Sequence, residues 1–152
     1  MKLSTKSRYG LRALYDMAYH AGNQPAQIKD ISRRQQISPR YLEQIFQDLK
    51  GAGLLKSKRG PQGGYTLTRK PSEITVLDVV KATEGKLSLV DCEKANKATC
   101  AFDMQCVTQR IWREAGDKLA EYFATITLDD LCRDAKELGV EKELDHRFMY
   151  FI

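Results

Sequence analysis

The sequence predicts a mainly α-helical chain with one small β-hairpin, arranged as a winged helix-turn-helix followed by a long dimerisation helix. Three observations predict it. Two short helical patterns, residues 27–36 and 39–50, follow one another across a tight connection. Two strand-like runs, residues 54–58 and 64–69, come directly after, joined by Arg59-Gly60-Pro61-Gln62-Gly63. Far downstream, apolar residues recur at helical spacing from Cys106 to Ile126 for about five turns, an apolar face too large for so small a domain to cover.

Leu11, Leu14, Tyr15 and Ala18 stand at helical spacing and predict a first helix over residues 7–21, stopped by Gly22. Residues 27–36 turn Ile28 and Ile31 inward. Ser38-Pro39 then marks a helix start. The Ser hydroxyl accepts from free first-turn N–H groups, and Pro at the first helical position loses no hydrogen bond. Residues 39–50 bury Leu42, Ile45, Phe46 and Leu49 and end at Gly51 and Gly53. In the hairpin, Gly and Pro supply the turn dihedrals, and Lys56, Lys58 and Arg59 flank the loop. Thr75 to Asp78 is a capping pattern with Val76, Val79 and Val80 inward, and its helix ends near Gly85. Residues 91–105 have no sustained periodicity, and a stretch of that length has a job or is disordered. Thr127 with Asp130 caps a last helix over residues 128–138. The tail, residues 139–152, ends in Phe148-Met-Tyr-Phe-Ile, packed on a partner or frayed. The predicted organisation is therefore a winged-helix DNA-binding domain over residues 1–85, a cysteine-bearing loop over 86–106, a dimerisation helix and its successor over 107–138, and a tail.

The chain has 152 residues, 42% hydrophobic and 30% charged, enough for one domain with a core. No apolar run approaches the ~18 residues of a membrane helix, and Met1 to Gly10 lacks the apolar centre of an export signal. Four cysteines without such a signal point to a reduced, cytoplasmic setting and exclude a disulfide scaffold. The net charge of +5 hides an asymmetry: residues 1–70 hold 14 Lys and Arg against four acids, and the remainder is acidic. A basic half joined to an acidic half predicts a polyanion partner on one side only.

Enzyme patterns are absent. Gly60 to Gly64 sits in a hairpin, not between a strand and a helix as a phosphate-cradling loop does. His20, near a helix end, and His146, in the tail, read as surface histidines. Cys92, Cys100 and Cys106 are different. They follow Cys-x7-Cys-x5-Cys through the irregular segment, and clustered thiolates suit an iron–sulfur cluster or zinc. The spacing departs from the Cys-x2-Cys pairs of zinc ribbons, so zinc fits less well. The bland alternative is three unligated cysteines. Cys132 belongs with Leu128, Leu131, Ala135 and Leu138 on one apolar stripe and reads as core.

The segments MKLSTKSRYGLRAL, ISPRYLEQIFQDLKGAGLLKSKRGPQGGY and ITVLDVVKATEG resemble the Rrf2 family of bacterial winged-helix transcription regulators. The stretch CVTQRIWREAGDKLAEYFATITLDDL is similar to its IscR branch. The resemblance implies a homodimer with crossing long helices. It also implies one two-iron, two-sulfide (2Fe-2S) cluster per chain on Cys92, Cys100 and Cys106. One departure is visible. IscR-branch members carry a histidine three residues after the third cysteine, where this chain has Gln109. Another branch uses an aspartate of the partner chain at the position of Arg8, whose cation cannot ligate iron. The fourth ligand is left open among the Gln109 amide oxygen, Asp91, Glu93, Asp103, a small thiol and water.

The expected function is a DNA-binding transcription regulator, mainly a repressor, sensing cluster or redox status on a palindromic double-stranded operator. Arg12, Lys56 and Lys58 are expected on phosphates, with the helix N-terminus at Ser38. Arg40, Tyr41, Glu43 and Gln44 are expected on base edges. Arg59, beside Gly60 at the wing tip, is expected in the minor groove. Ile111, Ala115, Leu119 and Tyr122 are expected in the dimer interface. The rivals are an iron–sulfur electron-transfer protein with an incidental winged helix, and a cluster-free or zinc-stabilised DNA-binding repressor.

Overall fold

Six helices and one hairpin make up the computed structural model, which describes residues 2–91, 102 and 105–143. Helix α1, Thr5–Asp16, starts where the Ser4 hydroxyl accepts from the Ser7 N–H at 3.2 Å. It runs on into one π-helical turn, Met17–Ala21, closed by Gly22 at φ 58°. Helix α2, Ile28–Gln35, ends at Gln36 in the left-handed region, φ 53°. Helix α3, Pro39–Gly51, starts as its Ser-Pro pair predicts, the Ser38 hydroxyl accepting from the Tyr41 N–H at 3.2 Å.

Strands β1, Leu55–Lys58, and β2, Gly64–Leu67, pair antiparallel with Leu55 opposite Leu67 and Lys58 opposite Gly64. The hairpin is rooted twice. Ala26, between α1 and α2, exchanges two backbone hydrogen bonds of 2.8 Å with Tyr65. The Tyr65 ring stands edge-on to Phe46 of α3 at 4.9 Å. Gly64 makes this possible, because a Cβ there would lie 2.3 Å from the Ala26 carbonyl oxygen.

Helix α4, Val76–Glu84, and helix α6, Leu128–Glu137, both open with capping boxes, Thr75 with Asp78 and Thr127 with Asp130. The two starts are stitched together: the Val76 N–H donates to Ile126 and the Leu128 N–H to Ile74, each at 2.9 Å. Helix α5, Gln109–Thr125, lies between them in sequence and packs on α4.

The core joins α1, α3, α4 and the start of α6 through Leu14, Ile45, Phe46, Leu49, Val79 and Leu128, all fully buried. Three expectations need correction. On the first helix Ala13, Leu14 and Met17 are fully in the core, while Leu11, Tyr15 and Ala18 are half-buried, Leu11 and Ala18 packing against the core from its edge. His20 is buried, 8% exposed, rather than on the surface. Helix α5 starts at Gln109, three residues later than its apolar pattern, with Val107 left outside. Cys92, Cys100, Glu93, Asp103, His146 and residues 148–152 lie outside the described residues.

Candidate nucleic-acid interface

Burial on one face of α3 decides what the other face can do. Leu42, Ile45, Phe46 and Leu49 point into the core, which turns Arg40, Glu43, Gln44 and Gln47 to the exterior. Other polar residues of the helix are already engaged. Asp48 pairs with Lys6 of α1 at 2.8 Å, and the Lys50 ammonium donates to the Ser57 hydroxyl of β1 at 3.1 Å. Among the described residues, no intramolecular hydrogen bond engages the side chains of Arg40, Glu43, Gln44 or Gln47. Tyr41 is half-buried, its ring edge-on to Tyr9 at 5.9 Å. Ser38 is exposed and spends its hydroxyl on the Tyr41 N–H that it caps.

The wing adds Lys56, Lys58 and Arg59, all exposed. Gly60, at φ 108°, supplies the turn conformation that L-residues avoid. A groove of about 410 Å³ runs between α3 and the wing, lined by Gln27, Glu43, Gln47, Lys58, Gly60 and Tyr65. Recognition helix and wing thus share one open cleft, with the Lys58 cation on the wing side and the Gln47 amide and Glu43 carboxylate on the helix side.

Arg12 is exposed on α1, yet its guanidinium already donates to the Gln35 side chain at 3.2 Å and to the Gln35 carbonyl. It also lies over the Tyr9 ring, 5.3 Å from the centroid. A guanidinium has five N–H donors, so a phosphate contact remains open to it.

Beyond the winged domain, α5 buries only Gly116, which faces Leu89. Ile111 is 52% exposed, Tyr122 60%, and Ala115 lies open beside them. Leu119 is half-buried and helps line a cavity of about 790 Å³ with Leu3, Leu89, Asp91 and Phe123. The four residues expected in one interface therefore divide between an exposed stripe and the rim of a cavity.

Two cysteines are described, and their surroundings differ. Cys106 sits just ahead of α5, where the Thr108 hydroxyl, 3.5 Å away, and the backbone N–H groups of Thr108 and Gln109 hold its thiol below the ordinary range. Burial pushes the Cys132 thiol up to about 11, which keeps it protonated in the apolar stripe assigned to it. Gln109 is the first residue of α5, half-buried. Among the described residues no group of three or more His, Cys, Asp or Glu side chains is arranged to hold a metal ion.

One cluster escapes sequence reasoning. Asp16 has no exposed surface and accepts from Arg34 and from the Gln35 amide, and His20 stands 3.9 Å away. Its only signal was an acid flanked by Ala13, Leu14 and Met17 with a histidine four residues on.

The profile of the Rrf2 family, described as iron-dependent transcriptional regulator, matches residues 3–134. The chain is 45% identical over 135 residues to protein rrf2 of Nitratidesulfovibrio vulgaris, covering 89% of each chain. It is 37% identical over 145 residues to the HTH-type transcriptional regulator IscR of Vibrio atlanticus, covering 95% of this chain and 83% of the relative. Among solved structures, IscR of T. potens superposes with a TM-score of 0.73 at 37% identity, covering 99% and 96% of the two chains. CymR, the global cysteine regulator of B. subtilis, superposes with a TM-score of 0.70 at 36% identity, covering 88% and 97%.

Proposed function

The chain belongs to the Rrf2 family of transcriptional regulators, and from that premise we propose a homodimer that reads a palindromic DNA operator, mainly as a repressor, and responds to iron–sulfur status. The observation that supports the DNA-reading part is the shared cleft, where Glu43 and Gln47 of α3 face Lys58 of the wing with no intramolecular partner of their own among the described residues.

Arg12, Lys56 and Lys58 neutralise phosphates, which supplies most of the affinity and makes it fall with salt. Arg40 suits guanine, Gln44 adenine, and Glu43 can accept from a cytosine amino group. Arg59, carried past the strands by the Gly60 turn, enters the minor groove, where a narrow A·T tract concentrates negative potential. Ile111, Ala115 and Tyr122 meet their counterparts on a second chain, with Leu119 at the edge, which spaces two recognition helices for two half-sites. Residues 1–85 would thus read DNA and residues 107–138 dimerise.

The donor chemistry fits a cluster. Cys106 has a thiolate-favouring position, and Cys132 does not. Cys92, Cys100 and Cys106, within residues 86–106, would hold a two-iron, two-sulfide cluster, with Gln109, Asp91, Glu93 or Asp103 open for the fourth place. Such a cluster, when bound, supplies a group sensitive to oxidants and to iron and sulfide supply. Cys106 abuts the first turn of α5, so holding that residue fixes where the long helix begins. A cluster-free regulator is the second reading, favoured by Gln109 in the place of a histidine.

The test is anaerobic purification with iron and sulfide counted per chain, followed by selection from a random duplex library across a salt series. Cluster sensing predicts about two irons per chain and selected sites that differ with and without them. Binding with no sequence preference in either state would refute the reading.

A further inference from the structure

After α6 the chain turns back. Gly139, at φ 75°, lets the Val140 N–H return to the Ala135 carbonyl at 3.0 Å. Residues 140–143 then lie along the π turn and α2, beyond the stretch that the family profile covers. The Tyr19 hydroxyl donates to the Val140 carbonyl at 2.6 Å, and the Lys142 ammonium stands 5.9 Å from the Tyr19 ring centroid. Glu143 closes the segment. Its carboxylate accepts from Arg33 at 3.2 and 2.6 Å and from Arg34 at 3.5 Å, and its backbone N–H donates to Nδ1 of buried His20 at 3.0 Å.

These contacts converge on the last turn of α2, the turn that α1 also grips through Asp16 and Arg12. Directly after that turn comes the connection of the helix-turn-helix: Gln36 in the left-handed region, then Ile37, whose carbonyl accepts from the Ser32 hydroxyl at 2.7 Å, then the Ser38 cap of α3. Anything that moves the last turn of α2 moves the start of α3.

We propose that residues 140–143 form a strap that positions the recognition helix, with Glu143 and His20 as its positioning residues, and that protonation of His20 opens it. The chemistry is local. Accepting at Nδ1 requires a neutral imidazole with its proton on Nε2, toward Asp16. A second proton would set an N–H against the Glu143 N–H and remove the bond. The charges around the ring are Asp16 from α1, Arg34 from α2, and Lys142 and Glu143 from the strap itself. The Tyr19 ring packs edge-on to the imidazole at 5.1 Å. The titratable group of α6 on this side, Cys132, interacts with Tyr15 and Lys142, and Tyr65 of β2 is turned to Phe46.

Burial outweighs the two carboxylates and holds His20 below its ordinary 6.5. Hydrogen bonds from Arg33, seconded by Arg34, draw the Glu143 carboxyl down to about 2, so it stays ionised wherever His20 titrates. The closed strap is therefore fully favoured above the ordinary histidine value and weakens as pH falls through it toward the lowered one.

The inference rests on the DNA-reading assignment for its consequence and not for its geometry, so two readouts are needed. Hydrogen exchange at the Glu143 amide reports the strap without DNA. Operator affinity of the full chain reports the recognition helix. Wild type should lose amide protection and several-fold in affinity together as pH falls from neutral to mildly acidic. His20→Gln, whose amide oxygen can accept from Glu143, should keep both and lose the pH dependence; His20→Asn serves if that variant folds poorly. Glu143→Ala should show the low-pH behaviour already at neutral pH. Unchanged amide protection in acid, or full pH dependence in both His20 variants, would overturn the strap. Strap opening with constant operator affinity would overturn its positioning role. Failure to bind any operator at any pH would instead strike the assignment of α3.

Discussion

Arg34 forks onto Asp16, its Nε donating to both carboxylate oxygens at 3.1 and 3.0 Å and its Nη2 to Oδ1 at 2.6 Å, although the two residues belong to different helices. The carboxylate has no exposed surface and the guanidinium side chain is 13% exposed. Removing Asp16 leaves the largely buried Arg34 guanidinium with only its 3.5 Å contact to Glu143 as a counter-charge, so Asp16→Ala should cost about 3 kcal/mol. Asp16→Leu combined with Arg34→Met should recover most of the loss, since a well-packed apolar pair removes both desolvation penalties. Urea midpoints of the two single variants and the double variant check this. A midpoint for Asp16→Ala equal to wild type would show that the fork carries no stability.

At the wing, Arg59 and Lys58 should separate by kind of loss. Arg59→Ala is expected to cost about 1–3 kcal/mol of operator binding and to erase preference at A·T positions under the wing. Lys58→Ala should weaken all sequences alike and reduce the salt slope by about one. Fluorescence anisotropy over a salt series, on operators differing only under the wing, distinguishes them. An Arg59→Ala protein with both affinity and A·T preference intact would displace the wing assignment.

Local signals were legible in the sequence, and distant pairings were not. Ser38-Pro39, Thr75 with Asp78, and Thr127 with Asp130 bracket their helices because a cap spans three or four residues. Gly64 reads as the start of the second strand, but its contact with Ala26 is not legible, because that partner lies on another element. His20 reads as exposed for the same reason, and nothing in the sequence marks Asp16 as buried. Their burial depends on Arg34 and on Glu143, and Glu143 is separated from Arg33 by 110 positions. Apolar spacing alone placed Leu119 with Tyr122, and it could not separate the arc of α5 that faces the cavity from the arc that stays open.

That exposed arc is the place to test association. Ile111→Glu and Tyr122→Glu should each give monomers that still fold, because neither side chain contributes to the core. Leu119→Glu should also lose stability, since Leu119 is half-buried at the cavity. Sedimentation at micromolar concentration, with thermal melts beside it, separates the two effects. A monomeric wild type would remove the dimer from the proposal, and with it the palindromic operator.

Glu43 carries a carboxylate into the cleft opposite Lys58. Facing DNA, it costs affinity wherever no cytosine amino group meets it, so it acts by rejecting sites. Glu43→Ala should broaden the set of sequences selected while raising affinity for the poorer ones. Resemblance to the IscR branch implies that this rejection separates sites bound with and without cluster, so the variant should blur that distinction as well. An unchanged selection profile would take Glu43 out of the reading face and leave Arg40, Gln44 and Gln47 as its members.

The cysteines divide by thiol chemistry, and substitutions should follow that division. Cys132→Ala should leave iron and sulfide content unchanged, because a thiol pushed up to about 11 in an apolar stripe makes a poor ligand. Cys92→Ala, Cys100→Ala and Cys106→Ala should each abolish the cluster, since a site short of a strong fourth ligand cannot spare a thiolate. Gln109 supplies the finer test. If its amide oxygen ligates, Gln109→Ala should bleach or shift the visible absorption, and Gln109→His should lengthen the lifetime in air, imidazole being the better iron ligand. If Gln109→Ala changes neither spectrum nor lifetime, the fourth ligand passes to Asp91, Glu93 or Asp103, each testable by its amide. Full iron and sulfide content in a protein with all three loop cysteines replaced by alanine would refute cluster sensing while leaving the DNA-reading cleft untouched.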